Sequence, residues 1–182
     1  MTIILDAGHG PETAGKRSTD GLLREFHFNS EVASIAKGIL VSKGFNVLFS
    51  HDATRDVPLK ERTALANRVN ASLFVSIHAN AFGTQWNEAA GIETYIYPTA
   101  GATTKSLGKQ LHDSLLLATN GKNRGLKTAN FAVLRDTKMP AVLVECGFMT
   151  NRQEAALLLD RAYRFQCGQA IAFGITNWLY VK

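Results

Sequence analysis

Short apolar runs alternate with amphipathic stretches along this chain, and the alternation predicts strands separated by helices. Residues 2–6, 46–50, 73–78, 91–97, 132–135 and 141–146 are short segments, most of them rich in Val, Ile and Phe, the composition of buried strands. Between the first two, Val32, Ile35, Ala36, Ile39 and Leu40 recur at the spacing of one helix face, with Lys43 in the last turn and Gly44 as the stop. Helices are also predicted over about 59–69 and 103–117, and two more fill the chain from about residue 152. Asn151 followed by Glu154 has the form of a capping box. This order predicts an α/β fold, a single domain with a central six-stranded, mostly parallel sheet flanked by helices. No repeat, linker or low-complexity tract interrupts it.

Composition narrows the picture. At 182 residues, 46% hydrophobic and 19% charged, the chain is long enough for one sizeable core and short for two. A net charge of +5 favours an anionic partner, but the 20 Lys and Arg residues are dispersed from Lys16 to Lys182. The densest short group, Lys122, Arg124 and Lys127, reads as a solvated loop, so no nucleic-acid partner is expected. Two cysteines, Cys146 in a strand and Cys167 in a helix, imply no disulfide framework. The N-terminus opens on Thr2-Ile3-Ile4-Leu5 without a basic leader or long apolar segment. A monomer with no membrane insertion and no export signal of its own is the expectation.

Candidate chemistry lies in four segments. His9 sits in DAGHG (6–10), Glu25 in LLREFHFN (22–29), His78 in VSIHAN (75–80) and Glu145 in PAVLVECG (140–147). Two imidazoles and a carboxylate with one position open to water is how catalytic zinc is usually held, and a second, unligated carboxylate serves as general base. If their strands are parallel, His9, His78 and Glu145 share one carboxyl edge, where open α/β sheets gather ligand sites. Each residue also has a bland role. His9 between glycines suits a turn, His78 could be a satisfied core histidine, and Glu25 suits a helix entry. Glu145 is different, because a carboxylate ending Ala-Val-Leu-Val would cost several kcal/mol if buried without compensation. His27 should point away from Glu25, and His51 and His112 have no chemical neighbour in sequence. Strand alternation turns Cys146 to the face opposite Glu145, into the core. The glycines of GHGPETAG do not form a phosphate loop, since Thr13 stands where the third glycine is needed.

In order and combination, IILDAGHG, EFHFN, LKERTALAN, LFVSIHANA, GIETYIYP, FAVLR and PAVLVECGFMTN resemble the zinc-dependent N-acetylmuramoyl-L-alanine amidases of peptidoglycan, over nearly the whole chain. The resemblance implies one catalytic domain over residues 1–182, one Zn2+ held by His9, Glu25 and His78, and Glu145 as the catalytic carboxylate. It implies cleavage of the amide between the lactyl group of N-acetylmuramic acid and L-alanine, on the bacterial wall. Two departures stand out. Residues 11–16 read Pro-Glu-Thr-Ala-Gly-Lys where the family is richer in glycine and aspartate, and Cys146 stands where Thr or Ser is common. Asn80 and Trp86 are candidate substrate contacts. Rival readings are another zinc-dependent wall peptidase or deacetylase, or a wall-binding module without catalysis. The family includes phage, sporulation and septum-splitting lysins, and the lack of a leader favours release at lysis.

Overall fold

The computed structural model describes residues 1–180. In chain order the elements are β1 (Thr2–Ala7), α1 (Glu25–Ser42), β2 (Asn46–Phe49), α2 (Leu59–Arg68), β3 (Leu73–Asn80) and β4 (Ile92–Ile96). They continue with α3 (Ala102–Thr119), β5 (Asn123–Thr128), α4 (Ala132–Arg135), β6 (Ala141–Phe148), α5 (Arg152–Leu159) and α6 (Arg161–Tyr180). The six strands form one sheet in the order β2-β1-β3-β6-β4-β5. β2, β1, β3 and β6 run parallel, β4 pairs antiparallel with β6, and β5 runs parallel to β4.

Alternation along the strands divides the core in two. Ile3, Leu5, Val75, Ile77, Val142 and Val144 face a thick layer made by α1, α3 and α6, with Val32, Leu111 and Ile171 buried against them. The opposite face is covered more thinly. There Ile4, Phe74 and Leu143 meet Ala66 of α2 and Val133 and Leu134 of α4. The same alternation puts Asp6, Ser76, His78 and Glu145 on this thinner face, at the carboxyl ends of β1, β3 and β6. Cys146 lies fully buried on the thick side together with Cys167.

Two predicted elements are corrected. Residues 132–135 form the short helix α4, not a strand. A four-residue apolar run has no readable period, and here Val133 and Leu134 both bury against the sheet, as one helical turn allows. The sixth strand is instead β5, in the stretch read as a solvated loop. β5 is an edge strand with one neighbour, so polar residues are tolerated along it. The capping box is half formed: Asn151 Oδ1 accepts the Gln153 and Glu154 N–H groups at 3.0 and 3.1 Å. The Glu154 carboxylate turns away, to the Phe148 and Gly91 N–H groups at 2.7 and 2.8 Å. Among the described residues no helix is long and apolar enough to cross a membrane.

Candidate metal centre

Parallel β1 and β3 carry His9 and His78 to one edge of the sheet, and Glu25 reaches them as the first residue of α1. His9 has φ 63°, the left-handed region, and its carbonyl is held by Arg62 Nη2. A Cβ at Gly8 would lie 2.0 Å from His78 Cε1, so the imidazole rests directly on that backbone. Glu25 Oε2 is 3.2 Å from His9 Nε2, and its Oε1 is 2.9 Å from His78 Nδ1. One donor atom from each of the three residues lies within 4.8 Å of the others. Burial alone would raise the Glu25 pKa, but hydrogen bonds from His78 and His9 outweigh it and hold the carboxyl well below its ordinary range. The converse holds at His78: burial would favour the neutral ring, and the Glu25 carboxylate overrides it, raising the pKa.

Buried groups behind the trio hold it in place. His78 Nε2 meets Ser76 Oγ at 3.1 Å, and Ser76 donates to Asp6 Oδ2 at 2.7 Å. Asp6 also accepts from Ser50 at 2.7 Å and from Arg62 at 2.8 Å. Burial of Asp6 is overcome by the Arg62 charge and these hydrogen bonds, which keep its pKa low. Arg62 further donates to the carbonyls of Ala7, His9 and Val57, so one guanidinium ties the loop after β1 to the start of α2. Asn29 bonds both Gly8 O, at 3.1 Å, and Glu25 Oε1, at 3.4 Å.

Glu145 stands beside the trio as the register partner of His78 on one side and of Glu93 on the other. Its Oε2 is buried and has no hydrogen-bond partner among the described residues. Burial pushes its pKa up to about 8, with the His78 charge pulling it down and the Glu25 and Glu93 carboxylates pushing it further up. Glu145, His9 and His78 line a cavity of about 740 Å³ walled by Val57, Leu59 and Phe131. The donor set suits a divalent cation: two imidazoles and a carboxylate converge, and the acid next to them has a buried oxygen without a partner among the described residues.

The family model for N-acetylmuramoyl-L-alanine amidase matches residues 3–177. The chain belongs to this family. It is 38% identical over 181 residues to the amidase CwlM of Bacillus licheniformis, a match covering 98% of this chain and 67% of that protein. The endolysin of Bacillus phage SPP1 is 35% identical over 186 residues, covering 99% of this chain and 66% of the endolysin. Among solved structures, an N-acetylmuramoyl-L-alanine amidase from Clostridium difficile 630 superposes with a TM-score of 0.94 at 32% identity, covering 100% of this chain and 97% of that one. The chain is thus an amidase that cleaves peptidoglycan, built on the expected α/β sheet.

Within this amidase the four sequence-selected residues His9, Glu25, His78 and Glu145 come together, and two others do not join them. Asn80 is committed to its neighbours: its Nδ2 donates to Glu93 at 3.0 Å and its Oδ1 accepts the Ala81 N–H at 2.7 Å. Trp86 lies under the Arg152 guanidinium, 4.7 Å from the ring, away from the cavity wall. His27 is exposed. His51 accepts the Ala7 N–H at 2.9 Å, and His112 bridges Thr94 and Asn123. Sequence reasoning missed Asp6, Ser76 and Arg62, although Asp6 opens DAGHG and Arg62 lies in LKERTALAN.

Proposed function

We propose that this amidase hydrolyses the amide joining the lactyl group of N-acetylmuramic acid to L-alanine of the stem peptide, with His9, Glu25 and His78 holding one zinc ion and Glu145 moving the proton. The observation that carries the reading is Glu145, which is in register with His78, lines the cavity beside the trio, and has one carboxyl oxygen buried without a partner among the described residues. Zinc held by such a set would supply Lewis acidity, which polarises an amide carbonyl and lowers the pKa of a water from 15.7 toward about 7. The Glu145 carboxylate takes the proton of the attacking water and delivers it to the departing alanine nitrogen. A carboxyl whose proton affinity is raised by burial suits a group that must both accept and return a proton near neutral pH. The Arg62 and Asp6 network keeps the imidazoles in place.

Product chemistry separates this reading from a peptidase or a deacetylase. Digestion of purified peptidoglycan should release new L-alanine amino termini without new reducing sugars or free hexosamine amines. Internal peptide termini or free hexosamine amines as the main product would replace the assignment. Glu145→Gln should keep its fold and a full equivalent of zinc while losing at least about a thousandfold in turnover. Retention of a tenth of the wild-type rate would take Glu145 out of this role.

A further inference from the structure

Between His9 and Glu25 the chain contributes two further residues to the cavity lining, Thr13 and Lys16, that the metal centre does not use. This segment is firmly held. Thr13 Oγ1 accepts the Gly10 N–H at 2.9 Å and donates to Asp56 Oδ2 at 2.5 Å. Arg24 Nη1 donates to Pro11 O at 3.1 Å, Arg17 and Arg24 form a β-bridge, and the Glu25 N–H donates to Lys16 O at 3.0 Å. The backbone of Lys16 is therefore bonded to the residue that supplies the carboxylate of the metal trio, and its side chain lines the cavity with Glu145.

Three cations line that cavity, and two are already committed. Arg62 is buried against Asp6 and three carbonyls. Arg135 forks onto Asp136 at 2.8 and 2.9 Å. Among the described residues Lys16 makes no ion pair, and its charge is felt at Glu145, where it opposes the effect of burial. An uncommitted ammonium in a substrate cavity calls for an anion. The glycan offers none, because amide formation has neutralised the lactyl carboxyl and the remaining sugar groups are hydroxyls and acetamides. Carboxylates occur only on the peptide side. The one nearest the cleaved bond is the α-carboxyl of the second stem residue, a glutamate joined through its γ-carboxyl, which occurs in walls as free acid or as amide.

We propose that Lys16 is a specificity-determining residue that pairs with this free carboxylate, so that the enzyme discriminates acid-bearing stems from amidated ones. The proposal rests on the lactyl–alanine amide being the bond cleaved. Lysine suits the task, since a flexible stem carrying a point charge can meet a carboxylate without a fixed approach geometry.

The test uses the zinc-loaded full chain and two disaccharide tetrapeptides that differ only in acid or amide at the second residue. Wild type should favour the acid by about threefold to fivefold in kcat/KM, mostly through KM, a ratio of the size one exposed ion pair provides. Lys16→Gln should bring the ratio near one by weakening the acid substrate more than the amidated one. Lys16→Glu should invert it, and added salt should erode the wild-type preference because the pair is exposed. A wild-type ratio near one, or equal losses on both substrates in Lys16→Gln, overturns the role of Lys16 while leaving the amide assignment intact. Cleavage of both substrates at a bond other than lactyl–alanine overturns the assignment itself.

Discussion

A methyl group at residue 8 would overlap the His78 ring, 2.0 Å from Cε1 and 2.2 Å from Nε2, and the backbone on which the ring rests is itself bonded to Ile77 O and Asn29. Neither partner can yield cheaply. Gly8→Ala is therefore expected to displace the imidazole, lowering zinc content and dropping turnover by about a hundredfold or more. Gly38→Ala, in α1 with open space at its Cβ, should be neutral or stabilising by up to about 1 kcal/mol. Metal analysis and melting curves of the two variants check the contrast, and equal zinc loading would show that the close contact is unimportant. Arg62 is the other residue with disproportionate reach. Arg62→Ala leaves Asp6 as an unpaired buried acid and should cost roughly 3–5 kcal/mol in urea unfolding. The metal-type residues were legible in sequence because His9, His78 and Glu145 sit at the ends of readable strands, where their chemistry is conspicuous. Arg62 was not, since an arginine in an amphipathic helix reads as a solvated face until β1 is seen to end beneath it.

At the scale of elements, the edge of the sheet behind Glu145 depends on one acid. Glu93 is 2% exposed, accepts from Lys127 at 2.7 Å, from Tyr95 at 2.5 Å, from Asn80 at 3.0 Å and from Arg124. Burial would raise its pKa, but the Lys127, Tyr95 and Arg124 hydrogen bonds prevail and lower it to about 2. The folded-state value lies below the unfolded one, so the stability that Glu93 contributes is present above about pH 4.5 and is lost as pH falls toward 2. Glu93→Gln should remove that acid-sensitive part and destabilise the protein at neutral pH by about 2 kcal/mol. Amide exchange should quicken first at residues 123–128, because among the described residues β5 has β4 as its only sheet neighbour. Uniform exchange across the sheet would argue against Glu93 as the local anchor. The same dependence explains why β5 was illegible: Asn-Arg-Gly-Leu-Lys-Thr has no apolar alternation, and two of its residues are drawn inward by a charge on another strand. β1, β3 and β6, buried on both faces, carry their signal in their own composition.

For the molecule as a whole, the uneven covering of the sheet decides where function can sit. Three long helices seal one face, while α2 and the single turn of α4 leave the ends of β1, β3 and β6 open to the cavity on the other. The convergence of His9, Glu25 and His78 thus belongs to the folded scaffold, and a metal that binds it must stabilise that scaffold by linkage. With free zinc at a hundred times Kd the gain is about 2.7 kcal/mol, which for a chain of this size raises Tm by roughly 5–10 °C. His9→Ala should lose the shift, whereas Glu145→Gln should keep it. The size of the shift should also depend on pH. In the metal-free protein Glu25 raises the His78 pKa, so a protonated His78 stabilises the fold at low pH and that contribution fades as pH rises through its titration. Zinc requires the neutral ring, and proton and metal therefore compete for the same atoms. Calorimetric scans at pH 5.5 and pH 8, with zinc and with chelator, should show the larger metal-induced shift at pH 8. A shift that is equal at the two pH values, or that survives in His9→Ala, would place the stabilising ion elsewhere.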